Sequence, residues 1–342
     1  MKMTKMLTIL VLAMALVAEV ANADFTFGEP QDLGLGKGLY ISVSADELEL
    51  YFNSDRAGGL GNRDLWVSTR QSVDDPWGPP TNLHTVNSSY SEGFPCISRD
   101  GLTLYFCDYF YGPDRQGGLG EHDLWFSTRA SRNDPWGAPV NMGTPFNTSG
   151  YEISPTLSHD ELTFIFASAR SGGHGNYDLW MCTRSSVQEA WGSPVNMGPR
   201  VNSSAHDYYG NLSPDGLVLF FESQRSGSYR AWMTMRRTVN DPWDPPVPLP
   251  EPMYSMAGVG RVSPDGSMLY SGMSQVPILP IVDLNGDGIV DGADLTIIVD
   301  HWGTDEPLCD IGPMPWGDGI VDVQDLIVLA EHLFEEIPRR NR

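Results

Sequence analysis

The run Asp283-Leu284-Asn285-Gly286-Asp287-Gly288-Ile289-Val290-Asp291-Gly292-Ala293-Asp294 concentrates hard oxygen donors at fixed spacing. Side-chain oxygens fall at positions 1, 3, 5, 9 and 12, Ile289 offers a backbone carbonyl at position 7, and Gly288 marks the sharp turn at position 6. Calcium takes about six to eight oxygen ligands, and a loop with this spacing supplies them. The candidate ligands are therefore Asp283, Asn285, Asp287, Ile289, Asp291 and Asp294. Asp at position 12 departs from the usual Glu. The competing reading is a carboxylate-rich turn that holds no metal.

A second, damaged copy follows. Asp318-Gly319-Ile320-Val321-Asp322-Val323-Gln324-Asp325 repeats the latter half of the loop, but counting back from Asp325 puts Met314 and Trp316 at positions 1 and 3. Asp310 takes position 1 if Gly312–Pro315 is an insertion, which gives Asp310, Asp318, Ile320, Asp322 and Asp325 as candidate ligands. Each loop leads into an amphipathic helix pattern, with Leu295, Ile298, Val299 and Trp302 on one face of the first and Leu326, Leu329, Ala330 and Leu333 on one face of the second. No Lys or Arg occurs between Asp283 and Glu336.

Upstream, three acids stand at equivalent places. Glu92, Glu152 and Asp207 each lie six residues before a Ser-x-Asp turn, just after Asn87-Ser88-Ser89, Asn147-Thr148-Ser149 and Asn202-Ser203-Ser204. The two further equivalents are Gly38 and Ala257. Converging at a central channel, the three would make a cation or sugar site. Alternatively, each carboxylate accepts hydrogen bonds from its own neighbouring loop. Glycoside hydrolysis needs two carboxylates about 5–10 Å apart, a spacing that sequence cannot supply. His-Glu-x-x-His, Gly-x-Ser-x-Gly and Cys-x-x-Cys are all absent.

The elements that carry these residues are repeats. Asp-Leu-Trp followed by Trp-Gly recurs with anchors Trp66, Trp125, Trp180 and a worn Trp232, spaced by 59, 55 and 52 residues. Before each lies a turn-and-strand block such as Ser98-Arg99-Asp100-Gly101-Leu102-Thr103-Leu104. The Asp-Gly or Asp-Glu step makes a tight turn, and the alternation after it is that of a strand. Phe94–Ser98, Leu102–Cys107, Asp123–Ser127 and Ala138–Met142 are the four expected strands of one unit. Four strands per unit of this period make a propeller blade. The Ser-x-Asp turn occurs five times and the Trp strand four, while Phe27–Gly34 resembles an ownerless outer strand. An all-β propeller of five blades over 24–272 follows, the N-terminal strand closing the ring, with 273–282 as a linker that could lend a strand from Val276–Val282 and 283–337 as a small helical calcium-loop domain. Arg56, Arg170, Arg225 and the displaced Arg115 are expected to pair with Asp64, Asp123 and Asp178 inside each blade. The glycine-rich loops at Gly58–Gly61, Gly117–Gly120 and Gly172–Gly175 lack the Lys-Ser/Thr of a phosphate loop and are read as hairpin turns.

The net charge of −23 argues against nucleic acid or an anionic membrane surface as partner. Met1–Ala23, with Lys2 and Lys5 ahead of a short apolar run and Ala21-Asn22-Ala23 at its end, reads as a signal peptide, so no membrane span is expected after cleavage and the mature chain is expected outside the cell or at its surface. Cys96, Cys107, Cys182 and Cys309 are too scattered for a disulfide framework and are read as small buried hydrophobes.

The block Ser213-Pro214-Asp215-Gly216 through Arg225 resembles the TolB-type, WD40-like (PD40) propeller repeats, a family of binding scaffolds, partner-binding subunits and some enzymes. The paired loop–helix units resemble a type I dockerin. That resemblance implies bound Ca2+ and a cohesin-like partner recognised through loop positions 10 and 11, here Gly292-Ala293 and Val323-Gln324. Since the two pairs differ, two interchangeable binding faces are not expected. Together the resemblances imply an exported, non-catalytic binding or scaffold propeller in a polysaccharide-degrading assembly, with a possible glycan or peptide ligand. The alternatives are a glycoside hydrolase or polysaccharide lyase with its site at the propeller mouth, or a tail that caps an incomplete fifth blade.

Overall fold

The computed structural model describes residues 25–108, 115–250, 252–256, 260–285, 287–304, 309–312 and 320–335. The expected signal peptide Met1–Ala23 and the candidate ligand Asp318 lie outside the described residues.

Five four-stranded antiparallel sheets form the propeller. Blade 1 runs Leu39–Val43, Glu49–Ser54, Asp64–Thr69 and Thr81–Asn82, and blade 2 runs Glu92–Ile97, Thr103–Asp108, Leu124–Thr128 and Val140–Asn141. Blade 3 comprises Glu152–Leu157, Thr163–Ser168, Asp178–Thr183 and Val195–Asn196. Blade 4 comprises Asp207–Leu212, Val218–Ser223, Arg230–Met235 and Val247–Pro248. Blade 5 combines Met268–Ser271 and Ser274–Pro280 with Phe25–Phe27 and Gln31–Asp32 from the opposite end of the chain.

The ring therefore closes as expected, and it corrects one boundary. Residues 273–282 are not a linker, because Ser274–Pro280 is the central strand of blade 5. Its alternation of Val276 and Ile278 is buried on one face, and Phe25–Phe27 pairs against its far half. Gly28 N–H donates to Pro277 O at 2.9 Å and Leu33 N–H to Met273 O at 3.0 Å. Closure removes the free sheet edge that blade 5 would otherwise present.

The turns explain why each blade folds locally. Ser98 Oγ donates to Asp100 Oδ1 at 2.6 Å and accepts from Thr103 N–H at 2.8 Å, so one hydroxyl closes the turn from both sides. Gly101 takes φ +73° there, while Glu47 and Glu161 hold the same left-handed place at 56° and 58° in the Asp-Glu variants.

The Arg–Asp pairing does not form. Asp64 accepts from the N–H groups of Leu60 at 2.6 Å and Gly61 at 2.8 Å and from Asn82 Nδ2 at 2.8 Å. Asp178 does the same with Gly175 and Asn196, and Asp123 with Leu119 and Asn141. These glycine-rich loops close on their own blade's carboxylate, which outcompetes a distant guanidinium because three short donors converge on it. The arginines instead lie over aromatic rings. Arg56, Arg115, Arg170 and Arg225 sit 5.1–5.4 Å from the first Trp of their blades, and Arg70, Arg129, Arg184 and Arg236 sit 4.2–4.5 Å from the second. All four cysteines are buried, as expected of small core residues, and no disulfide forms among the described residues.

The tail holds α1 (Gly292–Asp300) and α2 (Val323–Glu331), packed over a small core of its own. Each helix opens on a capping box, Asp291 with Asp294 and Asp322 with Asp325. The buried faces differ from expectation. Ile298 and Leu329 are buried, but Val299 and Trp302 are 55% and 49% exposed, and Val328 rather than Ala330 or Leu333 joins the core. The helices are too short to bury two full apolar stripes against each other.

Candidate functional site

The loop Asp283–Asp294 is held by hydrogen bonds between its own backbone and side chains. Asp287 and Gly288 N–H groups donate to the two oxygens of Asp283 at 3.1 and 3.0 Å, and Asp287 N–H also donates to Asn285 Oδ1 at 2.8 Å. Ile289 N–H donates to Asp287 Oδ1 at 2.9 Å. Asp294, fully buried, closes the loop by accepting from Asn285 at 3.1 Å and Asp291 at 2.8 Å. Each of these side-chain oxygens thus accepts from a backbone N–H of its own loop. Among the described residues no group of three or more His, Cys, Asp and Glu side chains is placed to hold a metal ion. By residue type alone, carboxylates with the Asn285 amide and the Ile289 carbonyl are the oxygen donors that a hard cation takes.

In the second loop, Asp325 is fully buried and accepts from Gly312 N–H at 2.8 Å and Asp322 N–H at 2.6 Å. Position 12 is therefore built in both copies. Asp310 is buried close by in sequence to Gly312, while Ile320 stands exposed. The loops are tied across the pseudo-repeat by Gly303 N–H to Val321 O at 2.8 Å and Phe334 N–H to Val290 O at 2.7 Å.

Glu92, Glu152 and Asp207 are fully buried. Each sits at the first position of its innermost strand and accepts from the loop that leads into it. Ser88, Thr148 and Ser203 donate both backbone N–H and side-chain hydroxyl to their carboxylates. Arg115, Arg170 and Arg225 complete the arrangement at 3.5, 3.5 and 2.8 Å. The hydrogen-bonded loop reading describes this geometry, since none of the three has surface on the channel. Burial pushes the Glu92 carboxyl up to about 7, with Ser88 and Arg115 pulling the other way. In blade 1 the equivalent Gly38 has no room for a side chain, because a Cβ would lie 2.5 Å from Met273 Sδ and 2.6 Å from the Phe52 ring. There Arg56 turns to the Leu35 and Lys37 carbonyls instead.

The channel carries features the sequence reading missed. Each innermost strand of blades 1 to 4 has a bulge, with Tyr40, Phe94, Ser154 and Tyr209 at φ 52–58°. Tyr40 stacks on Phe94 at 3.9 Å and meets Tyr209 edge-on at 5.1 Å. Blades 1 and 4 are not neighbours, so this cluster fills the axis. Toward the Ser-x-Asp end, a recess of about 90 Å³ takes lining residues from all five blades, among them Ser42, Arg99, His159, Glu161, Asn211 and Arg261. The signal was available two residues before each Ser: Ser42, Cys96, Thr156 and Asn211 are neutral, and Arg261 is not. At the other mouth, His122, Tyr151, Tyr177, His206 and Tyr229 form an edge-to-edge arc with ring spacings of 4.8–6.2 Å. These aromatics occupy positions that vary from blade to blade.

No family model and no curated protein matches the chain. Solved structures do. TolB from Acinetobacter baumannii is 16% identical over 71% of this chain and 54% of its own, with a TM-score of 0.45, so the chain spans about half the length of that protein. The endo-arabinase from Bacteroides thetaiotaomicron VPI-5482 is 15% identical over 75% and 97% of the two chains (TM-score 0.48), and a thermostable family-43 glycoside hydrolase 14% over 74% and 92% (TM-score 0.47). The chain has a five-bladed propeller fold with TolB-like and glycoside-hydrolase neighbours. Fold at this level of identity does not assign chemistry.

Proposed function

We propose that this is an exported, non-catalytic binding or scaffold propeller, carried into a polysaccharide-degrading assembly by a calcium-stabilised, dockerin-like tail. The observation that carries the reading is the tail's surface. α1 and α2 leave Val299, Val323 and Ile327 exposed, as are Trp302 just after α1 and Ile289 and Ile320 in the loops. That many exposed apolar side chains on so small a module suit a protein-binding surface. Val323 is also one of the partner-recognising positions that the dockerin resemblance implies, and a cohesin-like module is the partner of that chemistry. Calcium would be held by Asp283, Asn285, Asp287, Ile289 and Asp294, with Asp291 acting from position 9. In the second loop Asp310, Ile320, Asp322 and Asp325, with Asp318, would complete a weaker site. The aromatic arc at the propeller mouth is the surface for a glycan, since flat rings with polar edges suit a ligand with both apolar faces and hydroxyls.

The enzyme reading asks for two carboxylates across a bond in one cavity. Glu161 is the one carboxylate among the residues lining the channel recess, and its Oε1 accepts from Arg99 N–H at 2.6 Å. Calorimetric titration of the chelator-treated chain with calcium tests the tail directly. Binding with a gain in helical circular dichroism is expected, and no binding would remove the calcium-dependent part of the proposal.

A further inference from the structure

Arg261 is a buried cation placed where the protein supplies it no anion. It is 9% exposed, and among the described residues no carboxylate lies within ion-pair distance. Its Nη2 donates to the Pro95 and Pro155 carbonyls at 3.2 and 2.9 Å, which fixes the guanidinium across blades 2 and 3. Its Nε is buried with no acceptor. A buried arginine left without a counter-charge is costly, and it is rare in a chain of net charge −23, where acids outnumber bases by 44 to 21.

The surroundings sharpen what would complete it. Arg261 lines the recess at the Ser-x-Asp mouth together with Arg99, His159 and Glu161. In the charge count Glu161 offsets Arg99, although its carboxylate accepts from the Arg99 backbone N–H and not from the guanidinium. His159 is held toward its neutral form by burial and by Arg99. The net excess is one positive charge, and it resides on Arg261. The Tyr40, Phe94 and Tyr209 rings meet one another between the inner strands of blades 1, 2 and 4, which leaves no room for a threaded chain, and the recess of about 90 Å³ admits a small group. Ser42 and Asn211 place hydroxyl and amide groups in the same wall.

We infer that this recess is a binding site for a small hydroxylated monocarboxylate, a sugar acid such as a uronate, whose carboxylate supplies the anion that Arg261 lacks. The site is independent of the tail and of the aromatic mouth, so it stands or falls apart from calcium-dependent docking. A guanidinium–carboxylate bond to an arginine that is itself nine-tenths buried is strong enough to give measurable affinity to a small ligand.

The test is calorimetric titration of the full chain at low salt and pH 7.5 with galacturonate, galactose, acetate and inorganic phosphate. Galacturonate is expected to bind and galactose not to. Arg261→Gln should weaken galacturonate binding about tenfold or more. Glu161→Gln, at the rim and able to keep the bond from Arg99, should tighten it a few-fold, which keeps the test decisive should the Arg261 variant fail to fold. Equal binding of galacturonate and galactose, or an affinity indifferent to Glu161→Gln, would overturn the site. Tighter binding of phosphate would overturn the monocarboxylate assignment, and acetate matching galacturonate would overturn the sugar acid.

Discussion

Replacing Glu92 by Gln separates a carboxylate that builds the blade from one that serves a ligand. Glu92 is fully buried, and desolvation raises its carboxyl from 4.5 to about 7 despite the bonds from Ser88 and the nearby Arg115. The folded state therefore holds a proton that the unfolded chain releases above about pH 4.5. Below that value both states are protonated and the contribution to stability is complete. As pH rises toward 7 it is lost, because the charged form must be buried. A displacement of this size corresponds to roughly 3 kcal/mol between pH 4.5 and 7.5, at about 1.4 kcal/mol per pH unit. Gln keeps the shape and an acceptor for Ser88 but carries no charge. Urea denaturation in chelator, across pH 4.5 to 8, should show wild type and Glu92→Gln equally stable at the acid end. The variant should be the more stable by roughly 3 kcal/mol at pH 8. A Gln variant that is less stable at pH 8 would refute the reasoning, since it would mean that Arg115 or a bound cation keeps the carboxylate charged.

Ring closure predicts that Phe25→Ala, which empties a site packed against Phe27 at 5.6 Å and Phe220 at 6.0 Å, costs about 3–5 kcal/mol in chemical denaturation. Gly38→Ala should destabilise the propeller by about 1–3 kcal/mol, because its methyl would press on Phe52 and Met273, and differential scanning calorimetry will show the shift. Asp294→Ala should abolish calcium binding at the first loop and reduce the calcium-dependent helical signal, read by calorimetry and circular dichroism.

Much of the fold was legible because each blade repeats its instructions. The Ser-x-Asp turn, the alternation after it and the ownerless strand near Phe27 are local signals, and counting them gave five blades and their closure. What failed was pairing. Arg170 and Asp178 share a blade, but sequence does not say that glycine-loop N–H groups reach Asp178 first and leave Arg170 to Glu152. Within 273–282, Pro277 and Pro280 mask the strand signal because each lacks a ladder N–H, yet in the structure the chain tolerates both while pairing on two sides. The channel was hidden for another reason. A bulge shifts the phase of each inner strand, so Tyr40, Phe94 and Tyr209 point where simple alternation does not put them. Arg261 was visible as the one charged residue among five equivalent positions, but only once the strands were aligned from the turn. In the tail, spacing gave the loops and helix positions. It did not show which apolar residues remain outside, because that depends on how little surface two nine-residue helices can cover.

The most direct test of the account is capture of the full chain on an immobilised type I cohesin module, with calcium and with chelator. The account predicts binding in calcium that is lost in chelator and lost in calcium when Asp283 and Asp294 are both replaced by Ala. Binding that persists in chelator, or no binding in calcium by a chain that does take up the metal, would contradict it.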